Sequence, residues 1–211
     1  MLPLLIIWGV WLAQNNLIFQ DKSFTPKITS ALSARIFNVF PHHIRAAKQR
    51  MVLELEIDKT KPWGFFDGVA QNVICGGGAI FYLSDLHFFE LTLGLGEGTN
   101  NYVELMSLKL LLIFAVEKGC RNISVLGDSM NVVNWIKGIQ QCRNIRLDNL
   151  LSSIRGVLHS FDTFDCRHVY RESNQKADKA PKEGLQMALG TWKVKESNEG
   201  RIHEFYHRPF H

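Results

Sequence analysis

The sequence has few of the features that mark secreted or membrane proteins. Its four cysteines form no C-x-x-C pair, which excludes a disulfide framework or a cysteine zinc site and indicates free thiols in a reducing intracellular compartment, nuclear or cytoplasmic. The one membrane-like segment, MLPLLIIWGVWLA, is about 13 residues long, too short to span a bilayer, and lacks the positively charged start of a secretory signal. We interpret it as a helix that packs on protein, with a signal anchor as the alternative.

A strong charge of either sign is also lacking. The formal net charge of the 211 residues is only +4, and the excess lies in the flanking segments, mainly the N-terminal one. Such a modest basic bias suits a polyanionic partner without requiring one. The chain is 46% hydrophobic and 21% charged, which is typical of a globular protein with a substantial core.

The pattern along the chain changes near residue 60. Upstream, apolar residues recur at helical spacing, whereas downstream they alternate with period two and are punctuated by glycine. We therefore predict an N-terminal helical segment over residues 1–60, a central domain over 61–185 and a solvated C-terminal tail over 186–211.

The central domain is predicted to hold three strands, a long helix, a strand, two helices, a strand and a last helix. This order indicates an α/β fold with a mixed five-stranded sheet, three antiparallel strands followed by two parallel ones, and helices on both faces. The predicted strands are Trp63–Val69, Gly77–Leu83, His87–Leu95, Asn122–Gly127 and Thr163–Tyr170. The first predicted helix is long and begins near Asn100. The other three cover Met130–Ile139, Leu147–Ser160 and Asn174–Glu183.

An acidic residue interrupts the apolar face of the long helix. Glu104 shares one helical stripe with Leu108, Leu111 and Ala115. Burying an ionised carboxylate is costly unless it is paired, protonated or bound to a metal. The alternative is a half-exposed position in the first turn, where the helix dipole favours an acid.

Three further acids stand out by position: Asp67 within the first strand, Asp128 after the strand that ends in VLG, and Asp178 near the start of the last helix. Taken singly, each has a local alternative, because Asp67 before Gly68 is compatible with a turn, Asp128 with a helix cap and Asp178 with a dipole partner. Taken together, the four acids predict a metal site, because hard divalent cations need clustered oxygen ligands.

The segments TNNYVEL, VLGDSMNVVNWI and RHVYRESNQKADK, with the first hairpin WGFFDG and CGGGAIF, resemble the type 1 ribonuclease H domain of plant non-LTR retroelements. The resemblance covers about Pro62 to Gly184. Upstream, WGVWLAQNNLIF is similar to the end of the zinc-binding region that follows such reverse transcriptases, which suggests a retroelement fragment or a gene derived from one.

The resemblance implies a role for each matching residue. Asp67, Glu104, Asp128 and Asp178 match the metal-binding catalytic carboxylates. His168 occupies the place of a histidine that assists proton transfer or product release. The matching positions on the substrate side are Asn100, Asn101, Ser129 and Asn174, of which the first two correspond to a pair that contacts the minor groove of the hybrid.

The implied cofactor is a pair of Mg²⁺ ions, with Mn²⁺ as the alternative, and the implied substrate is an RNA–DNA hybrid. Two such ions about 4 Å apart activate the nucleophile and stabilise the leaving oxygen in phosphodiester hydrolysis. We expect no small-molecule cofactor and no membrane, and we expect a monomer.

One residue departs from the family pattern. Pro181 falls inside the predicted last helix, where a proline removes a hydrogen bond and clashes with the preceding turn. We expect the helix to kink or stop there, which leaves two hypotheses: an active endoribonuclease, or a catalytically impaired relic that still binds nucleic acid.

Overall fold

The computed structural model describes residues 57–171, 174, 177 and 179–207 of the chain. All of them fall within one compact unit. The predicted N-terminal helical segment lies almost entirely outside the described residues, so it remains a prediction, as do the limits of the three segments. In the part of the chain that is described, no helix combines the length and the hydrophobicity needed to cross a bilayer.

The described residues form one mixed sheet. Its strands are β1 Trp63–Gln71, β2 Ile74–Tyr82, β3 His87–Glu97, β4 Asn122–Gly127, β5 Thr163–His168, β6 Trp192–Asn198 and β7 Arg201–His207. Their order in the sheet is β5-β4-β1-β2-β3-β6-β7. Strands β1, β2, β3, β6 and β7 pair antiparallel, whereas β4 pairs parallel with β1 and with β5.

Four helices accompany the sheet among the described residues: α1 Asn100–Glu117, α2 Met130–Ile136, α3 Ile145–Leu158 and α4 Lys179–Gly184. Local capping explains where they begin and end. The Thr99 side chain accepts from the Tyr102 N–H at the start of α1, and the Asn144 side chain accepts from two N–H groups at the start of α3. Helix α2 ends three residues earlier than predicted, because Gly138 takes a left-handed conformation and the Ile139 N–H turns back to the Asn134 carbonyl.

The sheet has seven strands, which corrects the predicted five. The two additional strands come from residues 192–207, which we expected to be a solvated tail. The side chains of Trp192 and Val194 are buried, and β6 pairs along its length with β3. The Trp192 ring also meets the Phe114 ring of α1 edge to face, with centroids 6.2 Å apart.

Glycines in β2 allow helices to pack closely on both faces of the sheet. A Cβ atom on Gly77 would lie 2.7 Å from Ser107 Oγ of α1, whereas one on Gly78 would lie 2.6 Å from the Ala180 side chain of α4. Because successive strand residues face opposite sides, these contacts place α1 and α4 on opposite faces. The larger core cluster lies on the α1 face and includes residues of α3, and a smaller cluster around Trp63, Phe65 and Tyr82 lies on the other face.

Pro181 does not interrupt α4 in the way the sequence suggested. The helix begins at Lys179, so Pro181 is its third residue. In the first turn of a helix the N–H groups have no intrahelical partner, and a residue without one is tolerated there. The predicted Asn174–Glu183 helix is thus shorter at its start: Asn174 lies outside it.

Candidate metal centre

Three of the four predicted acids converge at one end of the sheet. Asp67 lies in β1, Glu104 in the second turn of α1, and Asp128 directly after β4. Each offers one carboxylate oxygen, and these oxygen atoms all lie within 4.8 Å of one another. No other described cluster of three or more acids, histidines or cysteines has this geometry.

The parallel pairing of β1 with β4 brings the two aspartates together. The register between the strands ends at the pair Phe66 and Gly127, so Asp67 and Asp128 are the next residue on each chain. Parallel strands run in the same direction, and the two side chains therefore leave the sheet at the same edge. Asp128 is not a helix cap, because the N-cap of α2 is Ser129.

Glu104 reaches this edge because α1 packs directly on β1. A Cβ on Gly68 would lie 2.9 Å from the Glu104 backbone nitrogen, so a larger residue beside Asp67 would push the helix away. This close approach explains why a glycine follows Asp67. The alternative of a turn at Asp67 and Gly68 is wrong, since β1 continues to Gln71. The Gly68 N–H in turn donates to Asp67 Oδ1 at 2.8 Å.

The surroundings of Glu104 strongly oppose its negative charge. Its side chain is only 7% exposed, and burial, together with the nearby Asp67 and Asp128 carboxylates, raises the pKa of Glu104 to about 9. The Gly68 N–H and the Arg171 charge lower the pKa by smaller amounts. One carboxylate oxygen, Oε2, is buried with no hydrogen-bond partner.

These features fit a divalent cation. An oxygen atom that is buried and unpaired lacks the partner that such atoms almost always have. Clustered carboxylates are the ligands preferred by Mg²⁺, and a bound cation would reverse the repulsion that raises the pKa of Glu104. The alternative of a half-exposed Glu104 in the first helical turn is wrong, because the residue is buried with the rest of its stripe, Leu108, Leu111 and Ala115.

The fourth predicted acid, Asp178, lies outside the described residues. Its neighbours Ala177 and Lys179 are described, the first buried and the second at the start of α4. Asp178 therefore remains a predicted ligand.

Comparison of the chain with known proteins shows the family to which it belongs. Residues 67–184, more than half of the chain, match the family described as reverse transcriptase-like. The chain belongs to the reverse transcriptase-like family. None of the curated proteins compared with it gave a match.

Solved structures agree with this family assignment. RNase H1 from the halophilic archaeon Halobacterium salinarum is 27% identical with a TM-score of 0.57, over 61% of this chain and 99% of that one. The N-terminal RNase H domain of a Mycobacterium tuberculosis protein is 26% identical with a TM-score of 0.56, over 59% and 93%. LC11-RNase H1, solved in complex with an RNA/DNA hybrid, shares the fold at 23% identity and a TM-score of 0.55, over 59% and 96%. The described residues of this reverse transcriptase-like protein thus have an RNase H-like fold.

His168 lies beside the acids, at the end of β5. Its Nε2 is 3.1 Å from the backbone carbonyl oxygen of Asp128, and its ring meets Tyr170 edge to face. The contact with a carbonyl requires the tautomer in which Nε2 carries the proton. Ser129 follows Asp128 and is the N-cap residue of α2, although its side chain makes no capping hydrogen bond.

Asn100 and Asn101 are the first two residues of α1, the helix that carries Glu104. Asn100 is exposed and Asn101 is half-buried. The reverse transcriptase-like domain therefore presents a pair of amides at the start of the helix that supplies an acid.

The position of Asn174 does not match its predicted role as a substrate contact. It is only 1% exposed, and its Nδ2 donates to the carbonyl oxygen of Phe66 at 3.1 Å. Its geometry favours a supporting role inside the domain over a contact with substrate.

Arg171 is a residue that the sequence analysis missed. It is exposed, it follows β5 by three residues, and its charge acts on Glu104. One signal was available, since a basic residue lies between His168 and Asp178 in the motif that matches the family. Local sequence does not say which charges a loop brings near an acid, so this signal was not decisive.

Proposed function

We propose that this protein is a metal-dependent endoribonuclease that hydrolyses the RNA strand of RNA–DNA hybrids and leaves 5′-phosphate and 3′-hydroxyl ends. The observation that carries the proposal is the convergence of Asp67, Glu104 and Asp128, together with a buried carboxylate oxygen of Glu104 that has no hydrogen-bond partner. The family and the RNase H structures support it, because one of those relatives was solved with such a hybrid.

The ligands of the proposed metal centre are Asp67, Glu104 and Asp128, with Asp178 as a fourth. Two Mg²⁺ ions, or Mn²⁺, would supply Lewis acidity toward the phosphodiester and activate water for attack. Hydrolysis of this kind needs no protein nucleophile. We expect no small-molecule cofactor.

Other residues would bind the substrate and move protons. The amides of Asn100 and Asn101 are suited to sense RNA 2′-hydroxyls in the minor groove. Arg171 would contact a phosphate, since guanidinium groups match phosphate geometry. The His168 tautomer that donates from Nε2 to the Asp128 carbonyl leaves Nδ1 as a proton acceptor at the edge of the site.

We further propose that the chain derives from a retroelement and acts as a monomer. The alternative, a catalytically impaired relic that binds nucleic acid, depended in part on Pro181. The position of Pro181 as the third residue of α4 weakens that part of the argument. The relic therefore becomes one outcome of the test below.

The test uses a labelled RNA–DNA hybrid, with and without Mg²⁺, and two matched variants of α1. Glu104→Gln replaces a central carboxylate by an amide of the same shape. Glu117→Gln makes the same change at the exposed end of the same helix. Single-stranded RNA and double-stranded DNA of the same sequence serve as substrate controls.

We expect Mg²⁺-dependent cleavage of the RNA strand by the wild type and by Glu117→Gln, and its loss in Glu104→Gln. Cleavage that persists in Glu104→Gln would contradict the assigned centre. A folded wild type that binds the hybrid without cutting it would favour the relic, and one that neither binds nor cuts would overturn the proposal.

A further inference from the structure

The buried amide of Asn174 joins two parts of the candidate site that are far apart in sequence. The β4 ladder on β1 ends at Phe66, and the Asn174 amide binds the Phe66 carbonyl at that end. Phe66 directly precedes Asp67. One side-chain hydrogen bond therefore fixes the chain after β5 to the backbone next to the first acid.

The backbone of Asn174 organises the same segment. Its N–H donates to the Arg171 carbonyl at 3.0 Å, and its carbonyl accepts from the Ala177 N–H at 3.0 Å. Both backbone hydrogen-bonding groups of Asn174 are thus paired, one with Arg171 and the other with the buried Ala177. Asp178 is the next residue in the chain.

Packing alone does not explain why an asparagine occupies position 174. Asn174 Oδ1 is buried with no hydrogen-bond partner, and a leucine, which has the same branched shape, would bury no unpaired polar atom. An aspartate would place a charge against the Phe66 carbonyl, because a carboxylate only accepts hydrogen bonds. The position requires a short side chain with an N–H donor.

We propose that Asn174 is a positioning residue that holds the chain after β5 against the backbone of β1 directly beside Asp67. The inference rests on the proposed function, since it concerns the same metal centre. Groups that orient metal ligands commonly change metal affinity or activity about ten- to a hundredfold when removed.

The test compares Asn174→Leu, which keeps the branched shape and the number of heavy atoms but loses the donor, with Asn174→Gln, which keeps the amide on a longer chain. Val194→Ala is the matched control, because Val194 is buried in β6, which two other strands separate from β1 in the sheet. Each protein is assayed for the Mg²⁺- or Mn²⁺-induced rise in Tm, for hybrid binding in EDTA, and for kcat, KM and Mg²⁺ half-saturation.

We expect Asn174→Leu to bind the hybrid in EDTA like the wild type, to lose most of its metal-induced rise in Tm, and to need about tenfold or more Mg²⁺ for half-maximal rate. Its kcat should fall with little change in KM, and Asn174→Gln should recover part of kcat. Val194→Ala should lower Tm without these changes.

A folded Asn174→Leu with wild-type metal response and kcat would overturn the inference. If that variant does not fold, Asn174→Asp replaces it, and a wild-type metal response there would overturn the inference equally. The proposed function fails in a different way, namely when the wild type itself shows neither a metal response nor cleavage, and this result would overturn both.

Discussion

Gly68 and Glu104 approach so closely that a single methyl group on Gly68 would lie 2.9 Å from the Glu104 backbone nitrogen. The same methyl group would lie 2.6 Å from Val103 Cγ1 and 3.0 Å from the Val103 carbonyl carbon. The strand that carries Asp67 and the helix that carries Glu104 are thus in backbone contact at the candidate metal centre. The spacing between these two acids depends on the absence of a side chain.

Gly68→Ala should therefore separate α1 from β1. Because two of the three nearest atoms belong to the backbone, they cannot rotate away, and we expect a loss of about 1–3 kcal/mol in the free energy of unfolding. The metal-induced rise in Tm should also decrease. Chemical denaturation with and without Mg²⁺ measures both effects.

Gly156→Ala is the matched control for that substitution. A Cβ on Gly156 would meet nothing within 4 Å, and the residue lies within α3. Alanine should stabilise this exposed helical position by about 0.5–1 kcal/mol. A Gly68→Ala protein as stable as the wild type would contradict the close contact.

Glu104→Gln should make the metal-free protein more stable above about pH 5. The folded pKa of Glu104, about 9, exceeds the ordinary value of 4.5, so the folded state keeps a proton that the unfolded state releases. This raised pKa contributes stability at low pH that is lost as the pH rises from 4.5 toward 9, by up to about 1.4 kcal/mol for each pH unit. Glutamine does not titrate and should abolish this part of the pH dependence.

Denaturation of both proteins in EDTA between pH 5 and 9 measures the difference. With Mg²⁺ the order should reverse, because the variant lacks one of the three clustered carboxylates that would bind the cation. Parallel stability curves for the two proteins in EDTA would show that Glu104 is not buried among like charges.

Arg171→Ala should weaken cleavage while leaving the fold intact. The residue is exposed, and a guanidinium near the acids is suited to a phosphate of the substrate. Hydrogen bonds to charged groups contribute about 1.5–3 kcal/mol, so we expect kcat/KM to fall by about ten- to a hundredfold. Steady-state kinetics should show partial activity for Arg171→Lys and wild-type activity for Arg201→Ala, which removes an exposed arginine in β7.

Val73→Gly should stabilise the protein. Asn72 and Val73 both have positive φ, 50° and 65°, in the turn between β1 and β2. Such turns favour glycine at the second position, and a left-handed conformation costs a β-branched residue about 1–2 kcal/mol. Since Val73 is 64% exposed, little packing is lost, and we expect a net gain of about 1 kcal/mol in chemical denaturation.

The neighbouring substitution Ile74→Gly provides the comparison. Ile74 is also partly exposed, but it lies in β2 with an ordinary φ. Glycine in a strand weakens it, so this variant should be less stable than the wild type. Equal destabilisation by both glycines would contradict strain at Val73.

The sequence was sufficient for the elements whose patterns are local. Strand β4 has the bounds predicted from its apolar run, and the acids Asp67, Glu104 and Asp128 meet as the ordered motif indicated. The roles of Arg171 and Asn174 were harder to predict, because these residues act on groups that are distant in sequence, Glu104 and Phe66. The sequence places Asn174 at the start of a predicted helix and does not show that its side chain is buried against the Phe66 carbonyl, more than one hundred residues earlier.

The β6–β7 hairpin illustrates a second limit. Trp192 and Val194 alternate with Lys193 and Lys195, which is a period-two signal, and Glu199 with Gly200 marks the turn. The signal is weak because charged residues outnumber apolar ones in the segment. The strand is stabilised by pairing with β3, about one hundred residues earlier, and no local pattern reports that partner.

Trp192→Ala tests whether this hairpin belongs to the folded domain. The indole is buried in the main core against Phe114 of α1, so its removal should leave a cavity and lower the free energy of unfolding by about 3–5 kcal/mol. Tyr206→Ala, on the exposed strand β7, should change it by about 0.5 kcal/mol or less. Chemical denaturation of the two variants distinguishes a core strand from a tail, because a tail would tolerate both substitutions equally.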